Sequence, residues 1–125
     1  MNLYNYFKNF NLSTETSDQL ENICFFEDYS VGDEIFNSNS LINKISIILS
    51  GSVRQIRKDS LKNTNIYKYV KNDFLFIPEL IYELPNPYFY IASTDLKMIS
   101  IEKDKFLNLL SENNEFQNWI NNQIF

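Results

Sequence analysis

The apolar positions of this chain change period twice. Over residues 3–10, Leu3, Tyr6, Phe7 and Phe10 recur at helical spacing and predict a short amphipathic helix. The run Ser13-Thr14-Glu15-Thr16-Ser17-Asp18-Gln19-Leu20 then puts hydroxyl caps and early acids ahead of Leu20, Ile23 and Cys24, which predicts a second helix over about 14–23. From Phe25 the period shortens to that of strands. Runs rich in Ile, Val, Phe and Tyr fall at about 25–30, 34–36, 44–50, 52–58, 65–71, 88–93 and 96–101, divided by turn residues. The polar stretch from Lys58 to Asn65 reads as the solvated tip of a hairpin. After Ile101 the helical period returns, first with Phe106, Leu107, Leu109 and Leu110, then with Phe116, Trp119, Ile120 and Ile124. Closing helices are therefore expected over about 102–124, with Ser111 as the cap between them. The aromatic face of Phe116 and Trp119 is expected to pack against the strands. Together these elements predict a single domain over residues 1–125, mainly β with flanking helices, whose strands at about 25–101 form an antiparallel barrel or sandwich.

Composition narrows the function classes. The chain has 125 residues, 44% hydrophobic and 22% charged, enough for one globular core. No apolar run approaches the ~18 residues that cross a bilayer, and Met1-Asn2-Leu3-Tyr4-Asn5 lacks the flank and apolar stretch of a secretion signal, so a cytoplasmic protein is expected. The apolar end Gln123-Ile124-Phe125 suggests a piece of a longer polypeptide. A lone cysteine, Cys24, excludes an internal disulfide, and beside Phe25 and Phe26 it reads as a small buried hydrophobe.

The chain contains no histidine, which removes the usual neutral-pH proton shuttle and the commonest metal ligand. No enzyme, cofactor or metal site is expected. With a net charge of −5 and only Arg54 and Arg57 as arginines, nucleic acid is not expected as a partner. The 18 Asn and 15 Ile are scattered, which we ascribe to coding bias.

Only two glycines occur, so each is expected where a Cβ would be costly, as a structural turn residue. Gly32 lies in Tyr29-Ser30-Val31-Gly32-Asp33-Glu34-Ile35-Phe36, and Gly51 in Ile47-Ile48-Leu49-Ser50-Gly51-Ser52-Val53-Arg54. These two stretches, with Asn72-Asp73-Phe74 and the segment from Ala92 to Ile101 followed by Phe106-Leu107-Asn108-Leu109-Leu110, resemble the cyclic-nucleotide-binding domain family over about residues 14–117. Gly32, Glu34, Ile35 and Phe36 match its first element; Ile48, Leu49, Ser50, Gly51, Val53 and Arg54 match its second. Asn72 stands where the third element has glycine, a replacement that left-handed backbone tolerates. The resemblance implies an antiparallel β-barrel of jelly-roll type.

In that family a short helix presents free N–H groups to the cyclic phosphate, a glutamate meets the ribose and an arginine pairs with the phosphate. The corresponding stretch here runs from Phe74 to Tyr88 and admits two registers. With Pro87 in the place of the family's proline, Pro78, Glu79 and Tyr88 fill the glycine, glutamate and arginine slots. With Pro85 there, the same slots hold Phe76, Ile77 and Asn86. Neither register contains the arginine, whose charge-assisted pair is worth on the order of 1.5–3 kcal/mol. A degenerate member is therefore expected, its pocket rebuilt with Phe76, Ile77, Tyr82, Tyr88 and Tyr90, each of which could equally serve as core, and with Glu79 and Asn86 as further pocket candidates. Glu79 and Glu83, spaced by one helical turn, are expected on a solvated helix surface.

The resemblance implies a non-catalytic regulatory or sensor domain that acts through another protein or domain, or senses a small molecule. The N-terminal part of a bacterial exporter is the setting it fits best. Two alternatives are genuine cyclic-nucleotide binding through Glu79, backbone N–H groups and Lys71, and a cupin-like metal enzyme, against which the missing histidine argues.

Overall fold

The computed structural model describes residues 2–38 and 40–124, with nothing assigned to the side chain of Ile124, so the predicted roles of Met1, Phe125 and the Ile124 side chain fall outside the described residues. The chain begins with α1 (Leu3–Lys8) and α2 (Thr14–Ile23). Ser13 caps α2, accepting the Thr16 N–H at 3.2 Å. Helix α1 ends at Lys8, short of the predicted Phe10, because Asn11 turns into left-handed backbone at φ 63°. Phe10 instead packs its ring on Tyr6 and Trp119.

Eight strands follow: β1 (Phe25–Tyr29), β2 (Glu34–Phe36), β3 (Lys44–Ser50), β4 (Val53–Lys58), β5 (Asn63–Tyr69), β6 (Phe74–Leu75), β7 (Phe89–Ala92) and β8 (Leu96–Glu102). The short helix α3 (Ile77–Ile81) separates β6 from β7, and α4 (Lys103–Glu112) and α5 (Asn114–Ile124) close the chain. The strands form two antiparallel four-stranded sheets, ordered β1-β8-β3-β6 and β2-β7-β4-β5. Strands from opposite ends of the chain pair in each sheet, which is the jelly-roll arrangement.

Strand alternation explains how the two cores arise. In β3 and β8, Ile45, Ile47, Leu49, Ile99 and Ile101 join the cluster made with the helices through Phe7, Leu20, Phe106, Phe116 and Ile120. The intervening Ile48, Leu96 and Met98 face the other way and join Val53, Leu75, Phe76, Tyr90 and Ala92 between the sheets. The expected packing role of Phe116 and Trp119 is met on the helix side, where Trp119 touches Phe7, Phe10, Phe74 and Phe116. Cys24 packs at the margin of this cluster, and burial pushes its thiol up to about 12.

Both glycines occupy positive φ, 89° at Gly32 and 91° at Gly51. A Cβ on Gly32 would meet open space, whereas one on Gly51 would stand 2.3 Å from the Asp95 carbonyl oxygen. Asn72 is left-handed at φ 72°, as its place opposite a family glycine implies.

The structure corrects several local expectations. The hairpin tip shrinks to a turn closed by the Asp59 N–H on the Lys62 carbonyl, because β5 starts at Asn63. The cap between the closing helices is Asn113 rather than Ser111: Asn113 Oδ1 accepts the Phe116 N–H at 2.9 Å, while the Ser111 hydroxyl donates to Asn108 within α4. Two-residue β6 and five-residue α3 are too short to carry a period of their own.

Candidate functional site

The segment that the resemblance sets against the family's phosphate-binding cassette is β6, α3 and the loop to β7. Phe76, at φ 78°, is the left-handed residue from which α3 starts, and Pro78 falls in the first turn, where its missing N–H leaves no donor unpaired. The helix stops at Ile81. Glu83 lies beyond it at φ 52°, so Glu79 and Glu83 do not share a helical turn, in contrast to the expectation from their spacing.

The space between the sheets is filled by rings. Phe76 meets Phe36 at 5.2 Å and Tyr90 at 4.9 Å; Phe36 meets Tyr90 at 5.7 Å. From Tyr90 the contacts continue to Tyr69 at 6.1 Å and then to Tyr67 at 4.7 Å. Five aromatic side chains from β2, the β6–α3 junction, β7 and β5 thus form a continuous row. Phe76 and Tyr90 are buried, while Tyr67 reaches the surface. Phe36, Tyr67 and Tyr69 were not singled out as liners from the sequence. The period-2 spacing of Tyr67 and Tyr69, the same as that of Tyr88 and Tyr90, is the signal that could have found them.

A thread of neutral hydrogen bonds accompanies the row. Asn86 is buried and its Nδ2 donates to the Tyr90 hydroxyl at 2.8 Å, while its Oδ1 accepts the Tyr88 N–H at 3.0 Å and fixes the turn into β7. The Tyr69 hydroxyl donates to Gln55 Oε1 at 3.2 Å. Burial raises both phenols: Tyr90 to about 12, and Tyr69 further still.

The remaining sequence candidates separate. Ile77 is buried against the helix-side cluster and Tyr88 packs at the edge of the inter-sheet cluster. Tyr82 is 58% exposed and stands outside the ring row. Glu79 is half-buried; burial raises its carboxyl, and its Oε2 has no hydrogen-bond partner among the described residues.

Cations are absent from this row among the described residues. Arg54 is exposed, its strand neighbours Val53 and Gln55 being the buried ones, and Arg57 lies 3.6 Å from Asp59 at the hairpin tip. Lys71 is exposed in the β5–β6 turn. Lys44 donates to Glu27 Oε2 at 2.6 Å, and the same carboxylate accepts from Tyr29 at 2.9 Å and from Ser100, whose hydroxyl lies 2.7 Å from that of Ser46. Among the described residues no group of three or more Cys, Asp or Glu side chains could hold a metal ion, and no helix is long and apolar enough to cross a membrane.

Comparison with known proteins agrees with this architecture. The family described as "Cyclic nucleotide-binding domain" matches residues 26–113. No curated protein matches the chain by sequence. Among solved structures, the regulatory domain of Toxoplasma gondii protein kinase A with cAMP superposes with a TM-score of 0.80 at 17% identity, over 98% of this chain and 48% of that one. The catabolite activator protein of Thermus thermophilus gives 0.77 at 17% identity, over 90% and 54%. The regulatory subunit of a cAMP-independent protein kinase A from Trypanosoma brucei gives 0.69 at 17% identity, over 97% and 48%. The chain spans about half the length of these three structures. The match over residues 26–113, carried on a jelly roll with the two glycines at its turns, shows that the chain belongs to the cyclic nucleotide-binding domain family.

Proposed function

We propose that this domain is a non-catalytic regulatory module that does not hold cyclic nucleotides by the family's phosphate contacts and acts through another protein or domain. The observation that carries the reading is Phe76. Its left-handed φ of 78° at the start of α3 is what a glycine slot requires, and this favours the register with Phe76, Ile77 and Asn86 in the glycine, glutamate and arginine slots. In that register the position of the anion-binding glycine carries a benzyl group tilted against Phe36 and edge-on to Tyr90, and the position of the arginine carries a neutral amide bonded to Tyr90.

A phosphate brought into this interior would lack a cation, and the rings would have to leave their contacts to admit a ribose. Each loss is of the order of a few kcal/mol. The same fold in the regulatory subunit of a Trypanosoma brucei protein kinase A described as cAMP-independent supports the view that this architecture need not answer to cAMP. Placement in an exporter rests on the resemblance alone, and the open reading frame around this segment tests it.

Titration calorimetry with cyclic AMP and cyclic GMP tests the loss of binding. The expected result is no saturable heat, and a dissociation constant below ~10 μM, equivalent to about −7 kcal/mol, overturns the proposal.

A further inference from the structure

Between the β2–β3 loop, α3 and the segment that follows it runs a groove of about 480 Å³, within the size range of ligand pockets. Its walls mix apolar side chains with polar and charged ones. Ile42 and Pro85 line it together with Leu41 and Leu84, which are 93% and 50% exposed. The two leucines give the groove exposed aliphatic surface on which an apolar side chain of a partner could pack.

The charges in the groove do not balance. Glu79, Glu83 and Lys103 all line it, and Lys103 Nζ lies 3.6 Å from Glu83 Oε1. Glu79 has no ion pair among the described residues, and its Oε2 is buried without a donor. The donor this carboxylate has among the described residues is its own backbone N–H, and a half-buried charged group with one oxygen unpaired is unfavourable until something supplies a further donor. A guanidinium or ammonium group on an apolar neighbour would do so, and the net charge of −5 favours approach of such a group.

We propose that this groove docks a basic–apolar segment of a partner protein, its arginine or lysine meeting Glu79 and its aliphatic side chain packing on Leu41, Leu84 and Pro85. This deepens the regulatory-module reading and rests on its claim that the domain acts through a partner. The exposed leucines in the groove wall offer aliphatic surface that a free amine would leave uncovered, which favours a polypeptide.

The test uses the ¹⁵N-labelled chain titrated with acetyl-Leu-Arg-Leu-amide and followed by amide chemical shifts. The expected shifts are confined to residues 40–42, 79–86 and 103. Replacing the probe's arginine by glutamine is expected to weaken binding about tenfold or more, the loss of one charge-assisted pair. Glu79→Gln is expected to weaken the arginine probe similarly, and Leu84→Ser to weaken both probes. Equal binding of the neutral probe, shifts elsewhere, or no shift up to about 5 mM, a binding energy near −3 kcal/mol, overturns the proposal. The neutral probe on the unaltered chain decides the matter even where a variant does not fold. Agmatine binding as tightly as the peptide would also overturn it, in favour of a small-amine site. If cyclic AMP binds by calorimetry while the groove still takes the peptide, the loss-of-nucleotide reading fails alone; if both titrations are silent, the docking proposal fails alone.

Discussion

The ring of Phe76 lies edge-on against the ring of Tyr90, with centroids 4.9 Å apart and an interplanar angle of 75°. One residue starts α3 in left-handed backbone and the other comes from β7, so this contact ties the cassette to the opposite sheet. Edge-to-face pairs of this kind add about 0.5–1.5 kcal/mol beyond the area they bury.

The backbone and the ring at position 76 can be separated by two substitutions. Phe76→Ala is expected to destabilise by about 3–5 kcal/mol, the usual loss for a buried phenylalanine. Phe76→Gly removes the same ring but relieves the positive φ, so it is expected to be about 1 kcal/mol more stable than the alanine variant. That order reverses the ranking within ordinary strands and helices. Urea denaturation of both variants checks it, and an alanine variant equal to or more stable than the glycine variant contradicts the strained-backbone account.

The two glycines differ in what surrounds them. Gly32→Ala meets only the strain of positive φ, about 1–2 kcal/mol, because no atom lies within 4 Å of the added Cβ. Gly51→Ala adds a clash with the Asp95 carbonyl 2.3 Å away and is expected to lose roughly 2–5 kcal/mol. Thermal melts of the two variants, compared side by side, give the difference.

Glu27 is expected to govern part of the acid limb of stability. Burial pushes its carboxyl up, but hydrogen bonds from Lys44, Ser100 and Tyr29 together with the Lys44 charge outweigh this and leave it lowered. A lowered folded-state value means stability that is present above the unfolded value near ~4.3 and lost as pH falls through the folded one. Glu27→Gln is therefore expected to be less stable than the parent at pH 7 and to converge with it toward pH 2. Melting temperature against pH for both proteins tests this.

Glu79 has the opposite sign. Burial raises its carboxyl, so its contribution is fully favourable below the unfolded value and declines as pH rises through the folded one. Glu79→Gln is expected to melt at a higher temperature than the parent at pH 7, with the gap closing near pH 4. A gain in stability from the same substitution that loses the arginine probe would mark Glu79 as kept for contact and not for folding.

Much of the fold was legible because its signals are local. The period-2 runs place β3, β4 and β8 within a residue or two, and the hydroxyl-rich stretch before Leu20 gives α2 with its Ser13 cap. The site was legible only in part. Phe76 and Asn86 could be named from a motif and Tyr90 from its alternation with Tyr88, but the left-handed φ of Phe76, which bears on the choice between the two registers, is recorded by no composition or spacing. Glu79 and Glu83 read as one helical face, yet α3 stops after five residues because Tyr82 and Glu83 leave helical geometry.

The sequence by itself determined the alternation that gives β3 and β8 two apolar faces, the turns at Gly32, Gly51 and Asn72, and the helical periods at both ends, since each depends on neighbours a few residues apart. Tertiary structure alone decided that Phe36, Phe76, Tyr90, Tyr69 and Tyr67 would meet in one row, that Asn86 would bond Tyr90, and that Glu79 Oε2 would be left without a donor among the described residues. Those outcomes depend on pairing strands distant in the chain, and a side chain's burial and its hydrogen-bond partners exist only once those strands have met.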